Sequence, residues 1–530
     1  MKLIALTIVL SLATQPIFKD VAEQVGLRFQ HYNGMTGKFY LPEITGSGAA
    51  LFDFDNDGDL DVFLVQGNVL EPNTKAVGAP RGKLFRNDLN VKRTLSFADV
   101  TEQSGIAATG YGMGAAVGDI NNDGLPDLYL TNLGSNQMYL NKGDGKFVDV
   151  TKESGTDDPR WSTSASFFDY DRDGWLDLMI VNYADFSIAN SPNCYAATTA
   201  RDYCTPRVFR APGNRLFHNK GNGVFEDVTG AAGVSKEFGH GLGVVTADFN
   251  DDGWIDIYVA NDGDPNQLWT NQKNGTFIND ALLAGASVNR NGQAEAGMGV
   301  DVGDYDGNAT DDIFVTHLMD ETNTLYVNLG KALFEDRTRE AGLGMPGRRF
   351  TGFGTVFFDY DSDSWLDLFV ANGAVQLPLA QPNQLFRNTG KGSFVEVVEQ
   401  EFSQLEVSRG VAVGDVDNDG DPDLLITNNN GPARLLLNHG NQNHWLGLRL
   451  VAKNGRDMLG AQVEIVTATN GILRRRVRTD GSYLSANDPR VLAGLGQATR
   501  VKAVRVRWPD GTTEELKDQP VDRYVTLTKK

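Results

Sequence analysis

The chain has 530 residues, of which 41% are hydrophobic, and its formal net charge is −21. This length exceeds one ordinary domain but suits a large repeat fold with a sizeable core. The acidic balance argues against nucleic acid as a partner, because phosphate binding needs a basic surface, and it fits cation sites that are neutralised on filling.

The first 15 residues are predicted to be a signal peptide. Lys2 supplies the positive n-region, residues 3–12 the apolar h-region and residues 11–13 a small-x-small cleavage site. A buried N-terminal strand is the alternative. No later segment has about 18 unbroken apolar residues, so we do not expect the protein to be an integral membrane protein once the signal peptide is removed. The expected location is secreted, periplasmic or at the cell surface.

Residues 53–61 read Asp-Phe-Asp-Asn-Asp-Gly-Asp-Leu-Asp, with oxygen-bearing side chains at loop positions 1, 3, 5 and 9 and Gly at position 6. Ca²⁺ takes 6–8 oxygen ligands, position 7 offers its backbone carbonyl, and Gly permits the sharp turn. EF-hand loops share the first half of this spacing but need flanking helices, whereas short apolar runs, typical of buried strands, flank this loop. The stretch therefore predicts a strand–loop–strand calcium site.

The nine-residue pattern recurs, giving seven loops in all. The fifth has Asn308 and Ala309 where Asp and Gly are expected, and Ser364 replaces Gly in the sixth, which puts the affinity of these two loops in doubt. Acidic solvated turns are the alternative interpretation. We expect Ca²⁺ at five to seven sites. The predicted ligands, with position 7 acting through its backbone, are Asp53, Asp55, Asp57, Asp59, Asp61, Asp119, Asn121, Asp123, Leu125, Asp127, Asp169, Asp171, Asp173, Trp175, Asp177, Asp248, Asn250, Asp252, Trp254, Asp256, Asp304, Asp306, Asn308, Asp312, Asp359, Asp361, Asp363, Trp365, Asp367, Asp415, Asp417, Asp419, Asp421 and Asp423.

The loops start 50 to 79 residues apart, a spacing typical of propeller blades. Each unit has a strand led by a small residue before the loop, a second strand after it, a third of Asn-x-Leu type and, in most units, a fourth of Phe-x-Asp-Val type. Four strands in seven repeats predict an all-β, seven-bladed β-propeller over residues 16–442. The Phe-x-Asp-Val element also occurs at 18–21 and is missing after the seventh loop, so we expect the N-terminal strand to complete the last blade and leave no exposed edge.

Residues 443–530 change character, with alternating segments that predict a small β-sandwich or barrel. They contain 16 Lys and Arg against 9 Asp and Glu, whereas the rest of the chain is strongly acidic. The opposite signs favour docking on the propeller or contact with an anionic partner. A solvated basic strand face is the third interpretation of the cluster Arg474, Arg475, Arg476 and Arg478.

The Asp-x-Asp-x-Asp-Gly-x-x-Asp loops and the Asn-x-Leu…Phe-x-Asp-Val-Thr spacers resemble FG-GAP/VCBS repeats, the integrin α-type calcium propeller. The C-terminal region is similar to the ASPIC/UnbV domain. Together these motifs resemble the cartilage-acidic-protein-like family of bacterial proteins over nearly the whole mature chain. That resemblance implies export and calcium binding, and it supplies no agreed biochemical activity. The segments that carry the C-terminal resemblance are 444–450, 460–463, 481–489, 494–496 and 506–512.

Cys194 and Cys204 lie close together, which in an exported protein predicts one local disulfide. Because consecutive antiparallel strands send alternate loops to opposite faces, we expect all calcium loops on one face and the long insertions on the other. Long ordered loops gathered on one face usually carry function. The insertions are 22–46, 66–83, 183–213, 286–296 and 373–382. The candidate ligand contacts there are Trp161, Tyr183, Phe186, Tyr195, Tyr203, His240 and Asp262.

The sequence carries no Gly-x-Ser-x-Gly, His-Glu-x-x-His, Cys-x-x-Cys or phosphate-binding-loop motif. It therefore favours an exported recognition or adhesion module for an extracellular glycan or protein, with calcium in a structural role. An exported polysaccharide lyase or hydrolase with its site on the insertion face is one alternative, because propellers also host enzymes. A subunit of an exported assembly is the other, and the oligomeric state is open.

Overall fold

The computed structural model describes residues 17–71, 74, 80–196, 198–440, 443–468 and 471–530. The predicted signal peptide lies outside these described residues. The fold is all-β, with short helical turns between strands. None of the helices in the described ranges has the length and apolar character needed to span a bilayer.

Seven four-stranded antiparallel sheets follow one another through the described residues up to 438. Their strand orders are β2-β3-β4-β5, β6-β7-β8-β9, β10-β11-β14-β15, β16-β17-β18-β19, β20-β21-β22-β23, β24-β25-β26-β27 and β1-β30-β29-β28. The strands are β1 (Phe18–Asp20), β2 (Ala49–Phe52), β3 (Asp61–Leu64), β4 (Lys83–Asn87), β5 (Phe97–Asp99), β6 (Tyr111–Gly118), β7 (Asp127–Leu133), β8 (Gln137–Asn141), β9 (Phe147–Asp149), β10 (Ser162–Phe168), β11 (Asp177–Asn182), the paired β12 (Cys194–Tyr195) and β13 (Arg201–Asp202), β14 (Arg215–Asn219), β15 (Phe225–Asp227), β16 (Gly241–Ala247), β17 (Asp256–Asn261), β18 (Gln267–Asn271), β19 (Phe277–Asn279), β20 (Val300–Gly303), β21 (Asp312–Val315), β22 (Thr324–Asn328), β23 (Phe334–Asp336), β24 (Gly352–Phe358), β25 (Asp367–Asn372), β26 (Gln384–Asn388), β27 (Phe394–Val397), β28 (Ser408–Gly414), β29 (Asp423–Asn428) and β30 (Arg434–Asn438).

The N-terminal strand completes the last sheet, as the sequence predicted. Phe18 pairs with Asn438 and Asp20 with Leu436, antiparallel, so β1 covers the outer edge of β30. The two ends of this stretch are therefore held in one sheet, and β1 rather than β30 is its outer strand.

The first strand of each sheet packs against the first strand of the next, and β28 of the last sheet packs against β2 of the first. These seven strands thus form a closed circuit of contacts around a central channel. Small residues are required there. A Cβ on Gly299 would overlap the Phe353 carbonyl oxygen of the neighbouring sheet, and a Cβ on Gly48 would overlap the Leu484 carbonyl oxygen from the C-terminal region.

Apolar side chains fill the space between adjacent sheets. One cluster joins the fourth and fifth sheets through Tyr258, Val300 and Tyr326, all with 1% or less of their surface exposed. Another joins the sixth and seventh sheets and includes Phe18 of β1. Burial of these faces is the main favourable term that holds neighbouring sheets together.

A second link between neighbouring sheets is an asparagine that ends the third strand of each one. The Asn141 backbone N–H donates to Asp127 Oδ1 of its own loop at 2.7 Å, and its Nδ2 donates to the Phe54 carbonyl of the preceding loop at 2.8 Å. Asn87 of the first sheet reaches Val416 of the last loop at 2.9 Å. The bridges therefore run round the whole circuit through Asn87, Asn141, Asn219, Asn271, Asn328, Asn388 and Asn438.

The C-terminal region forms two further sheets around a shared core that includes Leu448, Ile465 and Val504. Their orders are β34-β31-β37, where β31 and β37 run parallel, and β33-β32-β35-β36. The strands are β31 (His444–Val451), β32 (Gln462–Thr467), β33 (Ile472–Arg476), β34 (Val491–Gly496), β35 (Val501–Arg507), β36 (Thr513–Gln519) and β37 (Tyr524–Thr528).

The helices are single turns that connect strands. The α-helical turns are α1 (Leu89–Lys92), α2 (Thr101–Ser104), α3 (Thr151–Ser154), α4 (Ala281–Ala284) and α5 (Gly344–Gly347). The 3₁₀ turns are Leu41–Ile44, Ile188–Asn190, Pro206–Val208, Val234–Lys236 and Glu401–Ser403.

Candidate functional site

The seven acidic loops share one turn, which the first aspartate closes. Asp53 Oδ2 accepts the Gly58 N–H at 3.1 Å, and each other loop repeats this bond. The residue at position 6 has a positive φ, 94° at Gly58, 85° at Ser364 and 71° at Ala309. The two loops that lack this glycine therefore keep the same turn, although their residues carry a Cβ in a region that favours glycine.

The last aspartate of each loop is anchored by backbone groups on both oxygens. In the second loop Asp127 Oδ2 accepts the Ile120 N–H at 2.9 Å, while Oδ1 accepts the Asn141 N–H at 2.7 Å. The same pair of bonds occurs in all seven loops. These carboxylates hold the loop to the sheet, and each oxygen keeps a second lone pair for a ligand.

The other carboxylates leave oxygens without a partner. Five loops contain a buried carboxylate oxygen that accepts no hydrogen bond. Burying an unpaired charge is costly, and the partner that suits several converging carboxylate oxygens is a hard cation. The loop residues therefore fit Ca²⁺. The unpartnered atoms are Oδ1 of Asp55, Asp169, Asp304, Asp361 and Asp417. Sets whose ligand atoms lie within 4.8 Å of one another are Asp53/Asp55/Asp57, Asp169/Asp171/Asp173, Asp304/Asp306/Asp312 and Asp359/Asp361/Asp367.

Burial raises the pKa of the first aspartate in every loop. The pKa reaches about 6 at Asp53, about 7 at Asp169 and about 8 at Asp359, in each case chiefly through desolvation. The same direction holds at Asp119, Asp248, Asp304 and Asp415. Protein groups alone thus do not compensate the charge of these ionised carboxyl groups.

The third loop has an additional neighbour, His218. Its Nδ1 lies 3.1 Å from Asp177 Oδ1 and 3.4 Å from Asp171 Oδ2. The hydrogen bond with Asp177 raises the His218 pKa to about 9. The equivalent position in the second unit is Leu140, so the second loop lacks this positively charged neighbour.

The C-terminal sheets lie over the acidic loops, in line with the docking interpretation of the sequence. Each of the seven loops is contacted by a C-terminal polar side chain. Arg449 Nη2 donates to Asn56 Oδ1 at 3.1 Å, and Tyr524 Oη donates to Asp415 Oδ2 at 2.8 Å. The contacts in loop order come from Arg449, Asn454, Arg456, Arg507, Arg474, Arg475 and Arg490.

One C-terminal segment, residues 479–487, enters the central channel from the loop face and turns back on itself, since the Asn487 N–H donates to the Thr479 carbonyl at 2.8 Å. We call it the channel segment. Thr479 Oγ1 donates to the Val117 carbonyl at 2.9 Å, near the acidic loops. Farther along, the Ala486 N–H donates to the Ala49 carbonyl at 2.8 Å. The segment touches the first strand of all seven sheets. It fills the space beside the glycines of the first strands, where a Cβ would overlap its backbone, as at Gly48.

The insertions enclose a cavity of about 480 Å³ at the other end of the channel. Tyr183, Tyr203 and Asp262, three of the predicted ligand contacts, line it. Its floor is Tyr483 of the channel segment. Tyr483 is fully buried and donates through Oη to the Thr45 carbonyl at 2.9 Å. We call this cavity the insertion-face cup.

The remaining predicted contacts do not line the cup. Trp161 packs behind it, with its ring centroid 4.9 Å from that of Tyr183, and Phe186 packs on Trp161 at 5.8 Å. His240 Nδ1 lies 2.7 Å from Asp264 Oδ2. Tyr195 is 63% exposed and lies apart from the cup. These residues support the wall or lie outside the site.

The disulfide between Cys194 and Cys204 is present, as predicted. It closes the ribbon of β12 and β13 within the largest insertion. Cys204 itself lines the cup, so the bridge fixes part of the wall.

Sequence reasoning missed several cup residues. Glu321 lies in a short connection between β21 and β22 and carries no motif that marks it. Phe353 occupies a position of the repeat that holds other residue types in the other units. Tyr483 belongs to a recognised C-terminal motif, but its place in the channel follows from the docking of two distant parts of the chain.

An all-β chain of repeated four-stranded sheets, each with an acidic loop after its first strand, defines a class of repeat protein. The FG-GAP-like repeat family matches residues 53–130, 119–180, 208–259, 248–315 and 359–426, and the ASPIC and UnbV family matches residues 451–530. The chain belongs to the FG-GAP-like repeat family and carries an ASPIC and UnbV domain at its C-terminal end.

Among curated proteins, the chain is similar to cartilage acidic protein 1 of Xenopus tropicalis, with 28% identity over 309 residues, 56% of this chain and 38% of that protein. The human protein of that name is 26% identical over 305 residues, 56% of this chain and 37% of that protein. The match spans less than two fifths of either relative.

A solved structure of a lectin from Agrocybe aegerita, described as recognising non-reducing terminal N-acetylglucosamine, matches with a TM-score of 0.38 and 15% identity. It covers 68% of this chain and 88% of that chain. A likeness at this TM-score carries no conclusion about the fold or the ligand.

Proposed function

We propose that this protein is an exported, calcium-dependent recognition module in which the seven sheets are the blades of a β-propeller. The observation that carries the proposal is the difference between its two faces. One face holds repeated acidic loops covered by the C-terminal region, and the other holds a concave, closed-floored cup lined by non-repeated insertions. Ligand sites are concave, mostly apolar and lined by a few placed polar groups, which is the character of the cup.

Calcium in this proposal is structural. It would be held by the carboxylates at positions 1, 3, 5 and 9 of each loop, with the backbone carbonyl of position 7. When bound, the ion supplies positive charge to oxygens that otherwise repel one another. The unpartnered Oδ1 atoms of Asp55 and Asp417 support this role, because they lack a protein donor. Filling such sites stabilises the native state as the logarithm of calcium over its dissociation constant.

Recognition of an extracellular glycan or protein is assigned to the insertion face. The C-terminal region contacts every loop, so the insertion face with its cup is the face that these contacts leave uncovered. The disulfide holds the wall of the cup in place and the channel segment holds its floor, and preorganisation of this kind reduces the entropic cost of binding.

The test is a retention screen of the purified protein against glycan and envelope or matrix-protein arrays, in millimolar calcium and in chelator. The matched variants are Tyr203→Ala, which removes a cup wall, and Tyr195→Ala, an exposed tyrosine of the same insertion that lies outside the cup. We expect calcium-dependent retention of one ligand class that Tyr203→Ala weakens and Tyr195→Ala leaves unchanged.

The other outcomes favour other functions. Recovery of shortened or chemically altered ligand would make the protein an enzyme of the lyase or hydrolase type. Retention that is equal in the two variants would move the site away from the cup. Failure to retain any array component would favour a subunit of an exported assembly.

A further inference from the structure

The cup of the insertion face contains two carboxylates that, among the described residues, form no ion pair with lysine or arginine. This inference deepens the proposed recognition function and rests on it. Two carboxylates, those of Asp262 and Glu321, line the cavity together with Leu242, Met298 and Phe353. An apolar cavity with two carboxylates on one side is an unusual arrangement, because charged groups in such places are normally paired.

Each carboxylate is held in position by one oxygen. Asp262 Oδ2 accepts the Tyr183 hydroxyl at 2.6 Å, and Glu321 Oε2 accepts the Ala296 N–H at 2.9 Å. Ala296 also pairs with Asp262 in an isolated bridge, so the two carboxylates flank one piece of backbone. Within the described part of the chain, the second oxygen of each carboxylate accepts no hydrogen bond from protein.

Three basic groups lie near the cup and have other partners. Arg207 lines the cup and donates to the Gly263 carbonyl, and His240 pairs with Asp264. The buried Arg409 guanidinium lies 3.9 Å from the centroid of the Phe353 ring. Among the described residues, neither Asp262 nor Glu321 forms an ion pair with lysine or arginine. Burial raises the pKa of Asp262 to about 6, so its carboxyl group is still mostly ionised at neutral pH.

The apolar walls define the shape of the missing partner. Tyr203 presents aromatic surface, and Tyr483 closes the base with its ring centroid 5.0 Å from that of Phe353, whose own ring already stacks on the Arg409 guanidinium. Aromatic faces attract cations, and apolar walls pack against the stem of a lysine or arginine side chain. A neutral sugar would supply hydroxyl donors to the carboxylates but no positive charge to offset theirs, so it suits the cup less well.

We propose that the insertion-face cup binds an organic cation, a guanidinium, amidinium or ammonium group on an apolar stem, such as a basic side chain of a protein partner. Asp262 and Glu321 accept its N–H groups, and the aromatic walls enclose its stem. Tyr483, from the C-terminal region, sets the depth to which the cation enters.

The experiment is calorimetric titration of the full-length protein in millimolar calcium with benzamidine, and with benzamide as its neutral isostere. We expect benzamidine to bind with a dissociation constant of about 1 mM or lower, and benzamide to bind about tenfold or more weakly. Asp262→Asn and Glu321→Gln keep the acceptors for Tyr183 and Ala296 and should each weaken benzamidine about tenfold. Asp185→Asn, an exposed acid of the same face, is the matched control and should leave binding unchanged.

Three results would overturn the inference: equal affinity for the two probes, unchanged affinity in both carboxylate variants, or binding of methyl glucoside in preference to benzamidine. Melting curves establish that the variants fold. If the array screen retains a macromolecule that Tyr203→Ala releases, while benzamidine fails to bind, the recognition function stands and the cation inference falls. If neither experiment shows binding at the cup, both are rejected.

Discussion

The two ends of the central channel differ in how they were built. The loop face repeats one nine-residue turn seven times, and every copy makes the same hydrogen bonds even where Ala309 or Ser364 replaces glycine. The insertion face repeats nothing, and its cup combines residues from several unrelated loops with Tyr483. Repetition suits a task that every sheet needs, which is holding its neighbour, whereas a ligand requires one particular surface.

The C-terminal region connects the two faces. It contacts all seven loops at one end and forms the floor of the cup at the other through residues 479–487. A change in loop geometry thus has a continuous packed path to the cup. The predictions below separate what each face contributes.

Metal removal should give the largest effect on stability, because it acts on several acidic loops at once. With several sites emptied, we expect the melting temperature to fall by about 10 °C or more in excess chelator. Asp262→Asn should lose the same amount on chelation as the unmodified chain, because the cup does not contribute to metal binding. Scanning calorimetry measures both, and an unchanged melt in chelator would remove calcium from the structural role.

The metal-free protein should respond to pH in an unusual direction. Folded-state pKa values of about 6 to 8 for the first aspartates lie above the usual aspartate pKa of 3.8. Raised carboxyl pKa values stabilise the fold below the unfolded pKa and lose that contribution as the pH rises through the folded values. The melting temperature of metal-free protein should therefore fall as the pH rises from about 4 to 8.

Saturating calcium provides the control for this titration. Bound metal holds the carboxylates ionised in the folded state, so the slope should flatten or reverse between the same pH limits. A metal-free protein whose melting temperature rises with pH over that range would contradict the assignment of these groups.

Breaking one asparagine bridge should have an intermediate effect. Asn271 Nδ2 donates to the Tyr170 carbonyl of the preceding loop at 2.8 Å and to the Ile255 carbonyl at 3.1 Å. Asn271→Ala leaves these buried acceptors unpaired and should cost about 2–4 kcal/mol of unfolding free energy. The exposed Asn291→Ala is the control, expected within about 0.5 kcal/mol. Denaturant titration compares the two, and equal costs would show that the bridge is dispensable.

The smallest predicted effects concern the turn itself. Ala309 has φ of 71° and Gly174 has φ of 89°, with no atom within 4 Å of a Cβ placed on Gly174. Ala309→Gly should stabilise the metal-free protein by about 1 kcal/mol, and Gly174→Ala should destabilise it by a similar amount. Effects of the same sign would mean that backbone strain does not distinguish the degenerate loops.

Much of the loop face was predictable from local pattern. The spacing of Asp53, Asp55 and Asp57 predicted the turn, and the displaced Phe-x-Asp-Val element predicted the pairing of β1 with β30. The asparagine bridges were visible as a repeated residue, but their role was not. Asn141 acts on Phe54, 87 positions earlier, and that relation exists only once neighbouring sheets are packed.

The sequence by itself determined the all-β repeat architecture, the shared turn of the acidic loops and the disulfide, because each depends on residues close in the chain or repeated along it. Only the tertiary structure decided that the C-terminal arginines cover the acidic loops, that Tyr483 lies at the base of the cup, and that Asp262 and Glu321 share one wall. These relations join parts of the chain that local periodicity does not connect. They arise because opposite charges meet and apolar surface is buried when distant segments pack.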